Sequence, residues 1–190
     1  MQQSQKGHFF LSVGTIEPRK AYSISIDAIE KLWANGSDVS FIIVGKYGWS
    51  QSGIKHRILN HTEYGHRLFW FESASDADLQ YLYEKALALI SSSLYEGFGL
   101  PLIEAALYGL PAIVSDIPVF REIGGNSTKF FEVTNSDDLV SQMIAALSAP
   151  KIRSDIEVLR WKDAVNSMLE IIKDRNYQYD LQDNNFSREL

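Results

Sequence analysis

The 190 residues carry 18 basic and 24 acidic side chains, a formal net charge of −6, with 45% apolar and 22% charged positions. That balance describes one substantial globular domain and excludes broad electrostatic capture of nucleic acid. With no cysteine, disulfide frameworks and thiolate chemistry are out, and a reducing, cytoplasmic setting is expected. The opening Met1-Gln2-Gln3-Ser4-Gln5-Lys6 lacks the apolar core of a signal peptide. No apolar run approaches the roughly 20 residues that a membrane helix needs.

In chain order, strand-like and helix-like segments alternate. His8 to Val13 is an aromatic and β-branched run ending at Gly14. Tyr22 to Asn35 follows, with Ile24, Ala28, Ile29, Leu32 and Trp33 at helical spacing and Asn35-Gly36 closing it. Val39 to Val44, Leu68 to Phe71, Leu87 to Ile90, Pro111 to Val114 and Lys129 to Phe131 read as five further strands. Helical patterns fall at about 51–60, 76–86, 101–109, 118–123 and 136–148. A last helix carrying Trp161 is expected over 154–175, and 176–190 reads as a polar tail. Strands apolar on both faces and separated by helices predict a Rossmann-like α/β domain, its sheet mostly parallel and covered on both sides. Ligands in such sheets bind beyond the strands' carboxyl ends, where the loops 14–20, 45–49 and 91–99 fall.

The densest chemistry is Glu96-Gly97-Phe98-Gly99-Leu100-Pro101-Leu102-Ile103-Glu104, which reads as a glycine turn between a strand and a proline-started helix. Free N–H groups and the positive helix end there make a seat for phosphate, and Gly97 and Gly99 let backbone approach a ligand closely. Of Glu96 and Glu104, with seven residues between them, one suits the hydroxyls of a transferred sugar and the other a ribose. Arg19 and Lys20, on the loop Gly14-Thr15-Ile16-Glu17-Pro18-Arg19-Lys20, could reach a diphosphate held by the turn and steady it as a leaving group. They are basic residues at an expected helix start, where the dipole disfavours them.

Asp76-Ala77-Asp78 spells a possible divalent-metal motif, but Ser75 ahead of it makes a helix cap, and Ser136-Asp137-Asp138 repeats the pattern. Capping explains both, so no metal is expected. His56, His61 and His66 share no helix face and read as surface residues. Tyr81, Tyr83, Leu79 and Leu82 read as core. No G-x-G-x-x-G follows the first strand, which argues against a dinucleotide-dependent dehydrogenase.

From about His8 to Arg175 the chain resembles the C-terminal, donor-binding domain of family 4 retaining glycosyltransferases, half of a two-domain GT-B fold. The motifs that carry this are "VGTIEPRK", "FIIVGKYGW", the run from "FWFESASDADL" through "EGFGLPLIEA" to "FREIGG", and the later "DDL" helix. The resemblance implies that Glu96 contacts the sugar hydroxyls, Glu104 binds the ribose and Lys20, with Arg19, holds the diphosphate. Backbone N–H groups of Phe98, Gly99 and Leu100 would assist beside Gly97, and Gly14 and Thr15 would line the same site. Phe71, Glu72 and Ser73 would border the base. Many members have arginine where this chain has Thr15. The implied substrate is a GDP- or UDP-linked hexose of the mannose or glucose type, such as GDP-mannose, used without a metal to build a cell-surface polysaccharide or glycoconjugate. The N-terminal acceptor-binding domain, which supplies a histidine at the sugar, is absent from these 190 residues. Any peripheral membrane association would come through the missing parts, and this portion alone is expected to be inactive. Two other readings remain: a non-catalytic nucleotide-sugar-binding subunit or regulator, and a portion of a GT-B sugar-nucleotide epimerase.

Overall fold

A computed structural model describes residues 7–49, 53–149, 152–158 and 161–173. The chain falls into two units, Met1–Glu157 and Val158–Leu190. The first holds β1 (Phe9–Val13), α1 (Tyr22–Ala34), β2 (Ser40–Val44), α2 (Ile54–Leu59), β3 (Leu68–Phe71), α3 (Asp76–Lys85) and β4 (Leu89–Ser91). It continues with α4 (Leu100–Leu107), β5 (Ala112–Ser115), α5 (Pro118–Ile123), β6 (Lys129–Phe131) and α6 (Ser136–Ser148). The second unit holds α7 (Trp161–Lys173), with Val165, Met168, Leu169 and Ile172 at helical spacing. The expected tail, 176–190, lies outside the described residues.

The six strands form one sheet in the order β3-β2-β1-β4-β5-β6, and every pairing is parallel. Alternation along each strand sorts side chains into two cores. Phe10, Phe41, Ile43, Ile90, Ile113 and Phe131 point to one face, under α1, α2 and α6. Phe9, Leu11, Val44, Leu89, Ala112 and Val114 point to the other, under Tyr83 of α3, Leu102 and Ala105 of α4, and Phe120 of α5. Burial on both sides explains why the strands are apolar throughout rather than alternating.

Several expectations shift. A short 3-10 turn, Pro18–Lys20, precedes α1, so Arg19 and Lys20 end that turn instead of opening the long helix. A helix is expected from 154, but residues 152–158 are irregular, with Asp155 engaged elsewhere: it accepts from the Asn126 and Ser127 N–H groups and from Ser127 Oγ. The Ser75 cap is present, its Oγ accepting from Asp78 N–H at 3.2 Å in a reciprocal capping box. The second cap sits one residue earlier than expected: Asn135, not Ser136, accepts from the N–H groups of Asp137 and Asp138. Among the described residues no helix is long and apolar enough to cross a membrane.

Candidate functional site

The strand order creates the site. From β1 the chain moves outward through β2 and β3, then returns to lay β4 on β1's other side. The loop leaving β1 leads to α1 on one face, and the loop leaving β4 leads to α4 on the opposite face. Diverging loops leave a crevice at the carboxyl ends of these two neighbours, the switch point of an open α/β sheet. It is firmly joined beneath. Leu94 N–H donates to Arg19 C=O at 2.7 Å, and the Ser92 hydroxyl shares its one proton between the Lys20 and Ala21 carbonyls, 2.9 and 3.0 Å away. Those contacts hold Ala21 in a left-handed conformation, φ 44°, between the 3-10 turn and α1.

Glu96, Lys20 and Arg19 meet here. Glu96 Oε1 accepts from Lys20 Nζ at 2.5 Å, and Oε2 accepts from the Arg19 guanidinium at 2.6 Å. Arg19 also pairs with Glu17 at 2.6 Å. The Glu96 and Lys20 side chains are only 6% and 9% exposed. Burial pushes the Glu96 carboxyl up, but the bonds from Lys20, Ser93 and Arg19 outweigh it and hold it below the usual carboxylate range. Burial likewise works against the Arg19 charge, and Glu96 and Glu17 more than restore it.

Glu104 is separate from this cluster. Its Oε2 accepts from the Tyr83 hydroxyl at 2.7 Å, and Tyr83 is buried and stacked on Tyr108, ring centroids 5.4 Å apart. Burial first, and then this bond, raise the Tyr83 pKa far above that of a free phenol. Tyr83 is thus core, as its spacing suggested, and also the residue that orients Glu104. Tyr81, expected in the core, is 59% exposed.

The glycine turn is built as its sequence implies, with one adjustment: α4 starts at Leu100, so Pro101 takes the second helical position. Gly99 is the cap at φ 75°, and a Cβ there would come within 2.9 Å of Ile123 and 3.0 Å of Phe120. No side chain caps this helix. Gly97 differs. Its φ lies outside the left-handed range and a Cβ would meet nothing within 4 Å. Among the described residues nothing requires glycine there, and Gly97 is exposed. Phe98 and Leu100, on either side of Gly99, are 62% and 58% exposed.

Gly14 and Thr15 lie against the loop after β2. A Cβ on Gly45 would stand 2.0 Å from Gly14 C=O, and one on Gly48 would stand 2.6 Å from the Thr15 methyl. The Tyr22 hydroxyl donates to Gly14 C=O at 2.8 Å. Phe71, Glu72 and Ser73 leave β3, two strands from β1 and so about 10 Å along the same edge. They are exposed, with Glu72 only 3.7 Å from Lys55, whose ammonium lies over the Tyr47 and Trp70 rings. They are therefore not in contact with the Glu96 cluster.

Among the described residues no group of three or more acidic or histidine side chains could hold a metal. His56 and His66 are exposed, but His61 is not a plain surface residue: its ring lies 5.6 Å from Trp33 and its Nε2 is 3.0 Å from Glu30.

The chain resembles known proteins along most of its length. It is 39% identical over 166 residues to a serotype-specific mannosyltransferase WbdA of Escherichia coli, covering 85% of this chain and 20% of that protein. It is 33% identical to the O-antigen chain mannosyltransferase RfbU of Salmonella typhimurium, covering 73% of this chain and 37% of that one. The chain therefore spans well under half the length of these relatives. Sucrose-phosphate synthase from Thermosynechococcus elongatus superposes with a TM-score of 0.72 at 20% identity, over 92% of this chain and 47% of that one, a likeness of fold. Residues 2–158 match the family model described as glycosyl transferases group 1. The chain belongs to the glycosyl transferases group 1 family.

Proposed function

We propose that this chain is the donor-binding half of a retaining hexosyltransferase that moves mannose or a similar hexose from a nucleoside diphosphate to a hydroxyl acceptor in polysaccharide synthesis. The observation that carries this reading is the buried Lys20–Glu96–Arg19 cluster at the sheet's switch point. Lys20 has three N–H donors and gives one to Glu96; Arg19 has five and gives two to Glu96 and Glu17. The remaining donors of both are available to a diphosphate, and Glu96 holds the two cations in place before it arrives. Charge developing on the leaving diphosphate would meet preformed positive groups and the uncapped start of α4. Gly97 would give the pyrophosphate room at the turn, with the Phe98, Gly99 and Leu100 backbone beside it. Glu96 would take a sugar hydroxyl and Glu104 the ribose, while Phe71, Glu72 and Ser73 would border the base.

The two curated relatives named above are mannosyltransferases, which favours a GDP-mannose donor. Because the chain covers 20% and 37% of them, the acceptor-binding half is assigned to another part of the enzyme, and the 190 residues alone would bind donor without transferring it. Calorimetric titration with GDP, UDP and ADP, with and without magnesium, and then with the matching sugars, tests this. One nucleotide should bind without magnesium; binding by none would reject the donor-domain reading. Adding a separately produced acceptor domain should restore transfer, and its failure despite donor binding would favour a non-catalytic subunit.

A further inference from the structure

One donor to Glu96 is neither a cation nor exposed to a ligand. Ser93 is fully buried, and its hydroxyl donates to Glu96 Oε1 at 2.7 Å, on the same oxygen that takes Lys20. A serine has one proton to give, and this one goes to Glu96. The 3.3 Å contact between Ser91 and Ser93 Oγ must then run from Ser91 to Ser93. The Ser93 carbonyl accepts in turn from Ser115 Oγ, buried on the neighbouring strand β5. The Ser91 hydroxyl on β4 thus reaches one carboxylate oxygen through Ser93, while Ser115 on β5 anchors the Ser93 backbone. Packing does not require this, since alanine would fill nearly the same volume without a polar group to satisfy.

We infer that Ser93 is a positioning residue, setting the rotation of the Glu96 carboxylate so that one acceptor site faces the crevice to receive a hydroxyl of the donor sugar. The inference rests on the donor-domain reading. An ionised carboxylate offers about four lone-pair sites. Lys20, Arg19 and Ser93 fill three, leaving one. The terminal torsion of a glutamate is broad, with no sharp preference of its own. Lys20 and Arg19 can follow that rotation, because each is a flexible side chain with donors to spare. Ser93 cannot: its carbonyl is fixed from β5 and its hydroxyl is supplied from Ser91. The rigid donor therefore sets the angle, and the chained hydroxyls strengthen each other.

The test uses the 190-residue chain with GDP, UDP, GDP-mannose and UDP-glucose as calorimetric probes, in the parent, Ser93→Ala, Glu96→Ala and the double variant. In Ser93→Ala, affinity for the bare nucleotide should stay within about twofold. The advantage of the nucleotide-sugar over that nucleotide should fall about tenfold, the scale of a hydrogen bond to a charged group. In the Glu96→Ala background, removing Ser93 should change nothing further. A separate readout needs no ligand: the Glu96 carboxyl, followed by 13C NMR, should titrate at higher pH in Ser93→Ala, since the lost bond favoured its charged form. Ser91→Ala, a gentler change should Ser93→Ala fold poorly, should move both readouts the same way by less. Equal loss of nucleotide and nucleotide-sugar, or the same loss with and without Glu96, overturns the inference while leaving the donor-domain reading intact. If none of the probes binds the parent, the donor-domain reading fails and the role of Ser93 toward the sugar fails with it.

Discussion

Two charge clusters in this molecule use similar side chains to different ends. On the helical face, Arg57 of α2 bonds Asp27 and Glu30 of α1 at 2.6 and 2.8 Å, with those side chains 34%, 40% and 36% exposed. In the crevice, Lys20 and Arg19 bond Glu96 at similar lengths, but Glu96 is 6% exposed and its partners lie 76 and 77 residues away. The first is a solvated pairing between successive helices, of the sort that contributes a few tenths to about 1 kcal/mol. In the second, the Lys20–Glu96 pair has been taken out of water, with Arg19 29% exposed at its edge; desolvation offsets much of the attraction, so such a pair seldom adds net stability. Losing one member leaves a buried charge behind. A buried cluster of this kind, placed at a switch point, is better explained by what it does to a ligand than by what it does for the fold.

The largest expected effect comes from breaking the buried cluster. Lys20→Met should lower the unfolding free energy by about 2 kcal/mol, short of the full cost of orphaning a buried charge because Arg19 remains. It should also weaken nucleotide diphosphate binding at least about tenfold; urea unfolding and calorimetry read the two. Unchanged values for both would reduce the crevice cluster to the status of the surface one. Glu104→Ala should cost about 1–2 kcal/mol for nucleotide and nucleotide-sugar alike. Glu96→Ala should cost a similar amount for the sugar-bearing ligand alone, and equal losses would remove the proposed division of roles.

Acid gives a further handle. Glu96 has a folded pKa below its ordinary 4.5, so the stability it contributes is complete above that value and is lost as pH falls through the lower, folded one. Urea midpoints measured between pH 6 and 3 should show this acid limb in the parent and a shallower one in Lys20→Met. The smallest effect belongs to Arg57→Ala: under about 1 kcal/mol on unfolding and none on donor binding. A larger change in binding would mean that the two clusters are coupled.

What the sequence made legible were features whose signal is local. Continuous apolar runs located all six strands, Ser75 with Asp78 announced a capping box, and the glycine turn before Pro101 located the crevice. Pairings across the sheet were not legible, because periodicity carries no information about which loops meet. Glu96 could pass for an exposed turn carboxylate until β1 and β4 bring Lys20 beside it. The Tyr83 hydroxyl on Glu104 and the Ser115–Ser93 contact are of the same kind. The 3-10 turn at Pro18 did have a signal, since proline favours the first position of a helical turn. Nothing near 154 warns that Asp155 will be drawn to the Asn126–Ser127 backbone rather than into a helix.

The strand order also has a consequence for how the chain is made. β1, β2 and β3 can pair as soon as they emerge, but the other edge of β1 waits for β4. At translation rates of about 5–20 residues per second, the 76 residues from Lys20 to Glu96 take on the order of 4–15 s. Through that interval the nascent chain presents an apolar strand edge, of the kind that recruits other strands. A stall between β3 and β4 would prolong it. The topology that furnishes the crevice thus makes the interval between β3 and β4 a stage at which this domain is open to misassembly.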